Sequence, residues 1–180
     1  MLGVLLAGGV FVATRDSEEP QSVAPSPRDA EAALAGAPPP LAALHRQANE
    51  LLDGDLPAFK ERLAALRGYP VVVNKWASWC APCRAEFPFF QSQAIKRGKE
   101  IAFLGVDAED PEDDAREFLS EFPLSFPSYK DPRLRISLDM KAPYNPTTVF
   151  YDSKGEVAYI HQGSYASEEK LVEDIERYAQ

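Results

Sequence analysis

Apolar positions along this 180-residue chain change their period from stretch to stretch. Leu41, Leu44, Ala48, Leu51 and Leu52 recur at helical spacing, which predicts a helix over 41–52. Asp53-Gly54-Asp55 breaks that pattern. Residues 56–66 predict a second amphipathic helix with Phe59, Leu63 and Leu66 inward and Gly68 as its stop. Val71-Val72-Val73 then predicts a strand buried on both faces, since three successive β-branched residues favour extended backbone. A helix is expected from Cys80 to about Arg97, kinked at Pro88 and ended by Gly98. Residues 101–106 are a second apolar run of strand length. Strand, helix and strand in this order predict a right-handed βαβ unit with a parallel pair.

Beyond that unit, Pro111 marks the start of a helix with Phe118, Leu119 and Phe122 inward. A short strand is expected over 125–130 and a short helix over 134–140. Residues 147–152 and 156–162 are β-rich and joined by Ser153-Lys154-Gly155, a hairpin. An amphipathic helix over 167–178 closes the chain, with Leu171, Val172, Ile175 and Tyr178 as its inner stripe. The fold class is α/β: a central mixed sheet, parallel βαβ plus C-terminal β-hairpin, flanked by helices.

The N-terminal part reads differently. Residues 2–14 are apolar and small, shorter than the roughly 20 residues that span a bilayer. They lack a positively charged start and a clear Ala-x-Ala cleavage site. Residues 1–14 are expected to be a partial N-terminal signal-anchor or hydrophobic segment. Residues 15–40 hold Pro20, Pro25, Pro27, Pro38, Pro39 and Pro40 among Ser, Ala, Glu and Asp. A disordered Pro/Ala-rich linker is expected there, of reach roughly 30 Å, with residues 30–35 transiently helical. The globular domain is expected over 41–180.

Composition removes some functions. The formal net charge of −9 argues against nucleic-acid binding, which needs a basic surface to displace counterions. Two cysteines and two distant histidines, His45 and His161, do not supply a tetrahedral zinc site. Both histidines read as surface or strand residues. The acidic run over 107–121 lacks the glycine of a calcium loop and reads as a solvated helix face.

The chemistry lies at the junction of the first buried strand and its helix. Both cysteines are there, as Cys80-Ala81-Pro82-Cys83. Two thiols one helical turn apart close into a small disulfide ring and open again, which suits electron-pair transfer between thiols. Unpaired N–H groups at the helix start favour a thiolate at Cys80 by up to ~2 kcal/mol, or roughly 1.5 pKa units. Glu86 follows Cys83 by three residues, roughly 5–6 Å away on the same helix face. A partly buried carboxyl there raises nearby thiol pKa values and can take or return the Cys83 proton. Arg84 reads as an exposed helix residue.

This element order, with Trp79-Cys80-Ala81-Pro82-Cys83, resembles the thioredoxin superfamily. More narrowly it resembles the membrane-tethered thiol-disulfide oxidoreductases of the TlpA and ResA kind, from residue 56 onward. Asn74 stands six before Cys80, where cytosolic thioredoxins carry a buried aspartate and this subfamily often carries asparagine. Glu86 matches the ResA-type Cys-x-x-Cys-x-x-Glu pattern. Pro146-Thr147-Thr148-Val149-Phe150-Tyr151-Asp152, followed by Gly155, resembles the family strand that opens on a cis-proline. Two departures stand out: Lys75 replaces the usual aromatic of the central strand, and two helices are expected before Val71 where the family often has a strand or hairpin.

The resemblance implies a thioredoxin-like fold and a bacterial thiol-disulfide oxidoreductase outside the cytoplasm, membrane-anchored or secreted. It would reduce protein disulfides, with a role in cytochrome c maturation. Cys80 would be the nucleophile, Cys83 the resolving thiol and Glu86 the proton carrier. Trp79, Pro82, Asn145 and Pro146 would bind substrate, and Trp76 would pack in the core. A cis bond would turn the Asn145 and Pro146 backbone toward Cys80 and offer a strand edge to an extended substrate. The Cys80–Cys83 pair would be the redox centre, with no cofactor and no metal. Partners would be protein dithiols or disulfides and a membrane electron-donor thiol protein. Two alternatives stay open: an oxidase or isomerase working in the other direction, and a thioredoxin-fold copper-binding chaperone, which usually needs a wider cysteine spacing and a nearby histidine.

Overall fold

The computed structural model describes residues 27–180. Six strands form one sheet: β1 (Leu51–Leu52), β2 (Val71–Trp76), β3 (Ala102–Ala108), β4 (Ser128–Asp131), β5 (Thr147–Tyr151) and β6 (Val157–Gln162). Their order is β1-β4-β3-β2-β5-β6. Every residue of β2 is buried, as expected of its valine run. It pairs parallel with β3, Val71 opposite Ala102 and Trp76 opposite Asp107. On its other side it pairs antiparallel with β5, Lys75 opposite Thr147. The sheet is thus mixed, parallel in the βαβ half and antiparallel in the hairpin half.

Seven helices lie among the described residues: α1 (Pro27–Leu34), α2 (Pro39–His45), α3 (Leu56–Ala65), α4 (Ala81–Arg97), α5 (Glu112–Glu121), α6 (Arg135–Asp139) and α7 (Glu168–Tyr178). Alternation along β2 sorts them into two layers. Val72 and Trp76 pack with Phe87 and Phe90 of α4, Phe118 of α5 and Ile175 of α7. Val71 and Val73 pack with Leu41 and Leu44 of α2, Phe59 of α3 and Ile136 of α6. The Asp55 carboxylate caps α3 by accepting the Ala58 N–H at 3.1 Å. Gly68, φ +99°, supplies the left-handed turn after α3 that its position predicts.

Two expectations about the early chain are corrected. The helix over 41–52 stops at His45, and Leu51 and Leu52 form an edge strand parallel to β4. The leucines fit either period. The choice falls to Asn49, left-handed at φ +61°, whose side chain accepts the Leu124 N–H (2.9 Å) and donates to the Leu119 carbonyl (3.1 Å). A strand before Val71 is therefore present. Within the expected linker, residues 27–34 form α1, which packs on α4 with Ala30 and Leu34 buried, and Pro39 already starts α2. The i, i+4 spacing of Ala30 and Leu34 gives a helix a face to bury, which offsets its ordering entropy. The expected signal-anchor over 1–14 lies outside the described residues, as does the linker up to residue 26. No described helix is long and apolar enough to cross a membrane.

The β2–β3–β4 register leaves no room at Gly105, which lies opposite Asn74 and Ser128. An added Cβ would overlap Ser128 Oγ, the acceptor of the Trp76 indole N–H at 3.1 Å. Gly105→Ala is expected to cost about 1–3 kcal/mol by overpacking. Urea unfolding measures this, and an unchanged midpoint would contradict the register.

Candidate active site

β2 delivers the chain to a buried turn at its carboxyl end, where open α/β sheets place their chemistry. Ala77 is buried and its carbonyl accepts the Cys80 N–H at 3.1 Å. Ser78 donates its N–H (2.5 Å) and hydroxyl (2.9 Å) to the Asp110 carboxylate, which moors the turn to the loop after β3. Cys80 is the N-cap of α4, extended at φ −85°, and its Sγ accepts the Cys83 N–H at 3.2 Å. Pro82 falls in the first turn, where its missing N–H costs no helical bond.

Cys80 and Cys83 form a disulfide, with Cα atoms 5.3 Å apart. Cys80 keeps slight exposure and Cys83 has none, so Cys80 is the outer sulfur. Trp79, 62% exposed, and the exposed Pro82 border it, while Trp76 is buried. Arg84 pairs with Glu121 at 2.7 Å and lies over the Phe118 and Phe122 rings, an exposed residue with local partners. The Asn145–Pro146 bond is cis. Because Lys75 is opposite Thr147, that bond comes level with the turn following Trp76. The Pro146 carbonyl accepts the Gly163 N–H at 3.0 Å.

Glu86 lies one turn past Cys83 and is 0% exposed. Its Oε1 accepts from Asn74 Nδ2 at 2.9 Å and its Oε2 from the Tyr165 N–H at 3.0 Å. Burial pushes its pKa up from 4.5 to about 7, and the two donated hydrogen bonds moderate the rise. Strand, helix and the loop before α7 thus meet on one carboxyl.

Some of this escaped sequence reasoning. Tyr165 carries no motif, yet its N–H holds Glu86, its ring stacks on His161 at 4.0 Å and its hydroxyl donates to Asp174 at 2.9 Å. The acidic run is not one solvated helix face. Asp107 belongs to β3, which runs two residues past Val106, and is 3% exposed. Burial and then the Asp110 carboxylate push Asp107 up to about 9. Nothing but its place at the end of an apolar run signalled this. Among the described residues no group of three or more His, Cys, Asp or Glu side chains is placed to hold a metal ion.

A cystine in which one sulfur caps a helix and the other is sealed beneath it is a reversible electron-pair store, and the sheet around it is thioredoxin-like. The protein is a thiol-disulfide oxidoreductase of that fold. Residues 50–160 match the AhpC/TSA family, to which the chain belongs. It is 34% identical over 133 residues to the thiol:disulfide interchange protein DsbE homolog of Paracoccus denitrificans, with 72% of each chain covered. It is 31% identical over 125 residues to the thiol-disulfide oxidoreductase ResA of Geobacillus kaustophilus, with 69% of each covered. Among solved structures it is similar to a secreted Mycobacterium tuberculosis disulfide oxidoreductase homologous to E. coli DsbE, at a TM-score of 0.58 and 25% identity, covering 63% of this chain and 85% of that one.

The Glu86 pKa sets a linkage. The native state keeps the Glu86 proton up to about pH 7, whereas the unfolded chain loses it near 4.5, so stability falls as pH rises through that window. In Glu86→Gln this fall is absent. From about pH 4 to about pH 8 the stability difference is expected to move toward the variant by on the order of 3 kcal/mol. Urea midpoints of both proteins across that range test it, and parallel curves would show that Glu86 does not titrate there.

Proposed function

We propose that this chain reduces disulfides in other polypeptides outside the cytoplasmic membrane, in the service of cytochrome c maturation. Support for the site comes from one arrangement: an outer sulfur at a helix N-terminus, an inner sulfur fully sealed, and a buried carboxyl one turn beyond it. In the reduced protein the Cys80 thiolate attacks a substrate disulfide. A Cys80–substrate disulfide forms, and the first substrate sulfur leaves and takes a proton. Cys83 gives its proton to Glu86 and attacks Cys80 Sγ. The Cys80–Cys83 bond forms, and the second substrate sulfur leaves as a thiolate and takes the proton that Glu86 holds. Two electrons pass from the pair to the substrate; of its two protons, one is that of Cys83 by way of Glu86 and the other comes from solvent. The exchange needs no redox group beyond these sulfurs.

Glu86 also favours the reducing direction. Once ionised, it opposes thiolate charge on Cys83, so the reduced pair gains less stability from ionisation and is the stronger electron donor. The cis Asn145–Pro146 segment, with Trp79 and Pro82 at the rim, serves as the edge on which an extended substrate docks. Residues 1–14 act as part of the membrane tether, and a membrane thiol protein returns the electrons. The names of the DsbE and ResA relatives support thiol-disulfide interchange as the activity.

Cys83→Ser is expected to trap polypeptides on Cys80 as mixed disulfides, among them apocytochromes with haem-attachment thiols, and Cys80→Ser to trap none. Mass spectrometry of the adducts checks this. The Cys80–Cys83 potential is expected below about −200 mV; a value near −120 mV, that of a strong protein oxidant, would reverse the direction.

A further inference from the structure

Lys75 is the one cation in a strand otherwise built of valine, asparagine and tryptophan, and it is 1% exposed. Its Nζ donates to the Ala142 carbonyl at 3.0 Å and the Tyr144 carbonyl at 3.4 Å. Both acceptors lie between α6 and β5, in the segment that ends on the cis Asn145–Pro146 bond. Thr147 Oγ1 donates to the same Tyr144 carbonyl at 2.8 Å. Carbonyls of this loop therefore turn inward onto β2, while the Tyr144 residue is 66% exposed on the outside. Lys75 shares its sheet face with Val71 and Val73, opposite Asn74, so it acts from the α6 side and not through Glu86. Burial lowers the ammonium pKa, and the charges of Glu109 and Asp131 hold it up.

An aromatic ring at this position would fill the volume but offer the loop no charged donor. The Ala142 carbonyl belongs to a residue with no exposure, so water is a poor substitute. The loop of this chain is thus held by a charge-assisted bond to the very strand that ends at the active turn.

We propose that Lys75 is a positioning residue: its ammonium ties the strand leading to Cys80 to the Ala142–Tyr144 carbonyls and so sets the gap between the attacking sulfur and the edge that docks the substrate polypeptide. This rests on the reading of the Asn145–Pro146 loop as that edge. A bulky substrate depends on the gap, whereas a small disulfide reaches Cys80 without touching the loop.

The test uses the full chain with dithiothreitol as electron source, insulin as the protein disulfide and 5,5′-dithiobis(2-nitrobenzoic acid) as the small one. In Lys75→Met the KM for insulin is expected to rise roughly tenfold, with kcat within about twofold and the small-disulfide rate unchanged. An unchanged insulin KM, or an equal loss with both disulfides, overturns the proposal. If the methionine variant does not fold, Lys75→Gln decides: it removes the ammonium that reaches the Ala142 and Tyr144 carbonyls but keeps a polar side chain, and a smaller rise in insulin KM alone supports the proposal, while none overturns it. Pro146→Ala separates the two layers of argument. A raised KM there with none in Lys75→Met removes Lys75 alone; no rise in either removes the docking edge as well.

Discussion

The 3.2 Å hydrogen bond from the Cys83 N–H to Cys80 Sγ is the contact on which the site depends. It makes a cysteine do the work of a serine or aspartate cap, so the first turn of α4 points its free N–H groups at sulfur. For that to happen, β2 must stop at Trp76 and the chain must turn within four residues. The buried valine run and the Asp110 mooring of Ser78 provide both conditions. The second sulfur then follows from helix geometry, one turn on and inside.

Two electrostatic influences act on this pair from opposite ends. The helix N-terminus favours charge on Cys80, by up to ~2 kcal/mol. Glu86, buried and held by Asn74 and Tyr165, disfavours charge near Cys83 once it ionises at about pH 7. These two influences support the proposed roles of the outer sulfur as attacker and the inner one as resolver. Asn74 sharpens this division because it cannot titrate, which leaves Glu86 to respond to pH from that side of β2. Lys75, on the opposite face, leaves that balance alone and acts on the loop.

Much of this is legible in the amino-acid sequence. Val71-Val72-Val73, the cysteine pair and the Lys154-Gly155 turn each carry a local signal that tertiary packing did not override. Leu51 and Leu52 did not, because two apolar residues fit a helix face or an edge strand equally and Asn49 decided between them. α1 was hidden in a proline-rich stretch whose composition outweighed one i, i+4 pair. Within the site, Glu86 and Asn74 were visible as types at telling spacings, but their mutual bond was not, nor was the Tyr165 N–H. A backbone donor brought in from 79 residues away has no sequence signature. Lys75 was visible only as an oddity, since its acceptors are main-chain carbonyls.

The most direct measurement of the central claim is the pH dependence of iodoacetamide alkylation of the reduced protein, with the modified residue located by mass spectrometry. The account predicts that Cys80 alone reacts first, with an apparent pKa at least about one unit below the ~8.5 of an ordinary thiol, while Cys83 stays unmodified. First modification at Cys83, or a Cys80 profile no different from free cysteine, would contradict it.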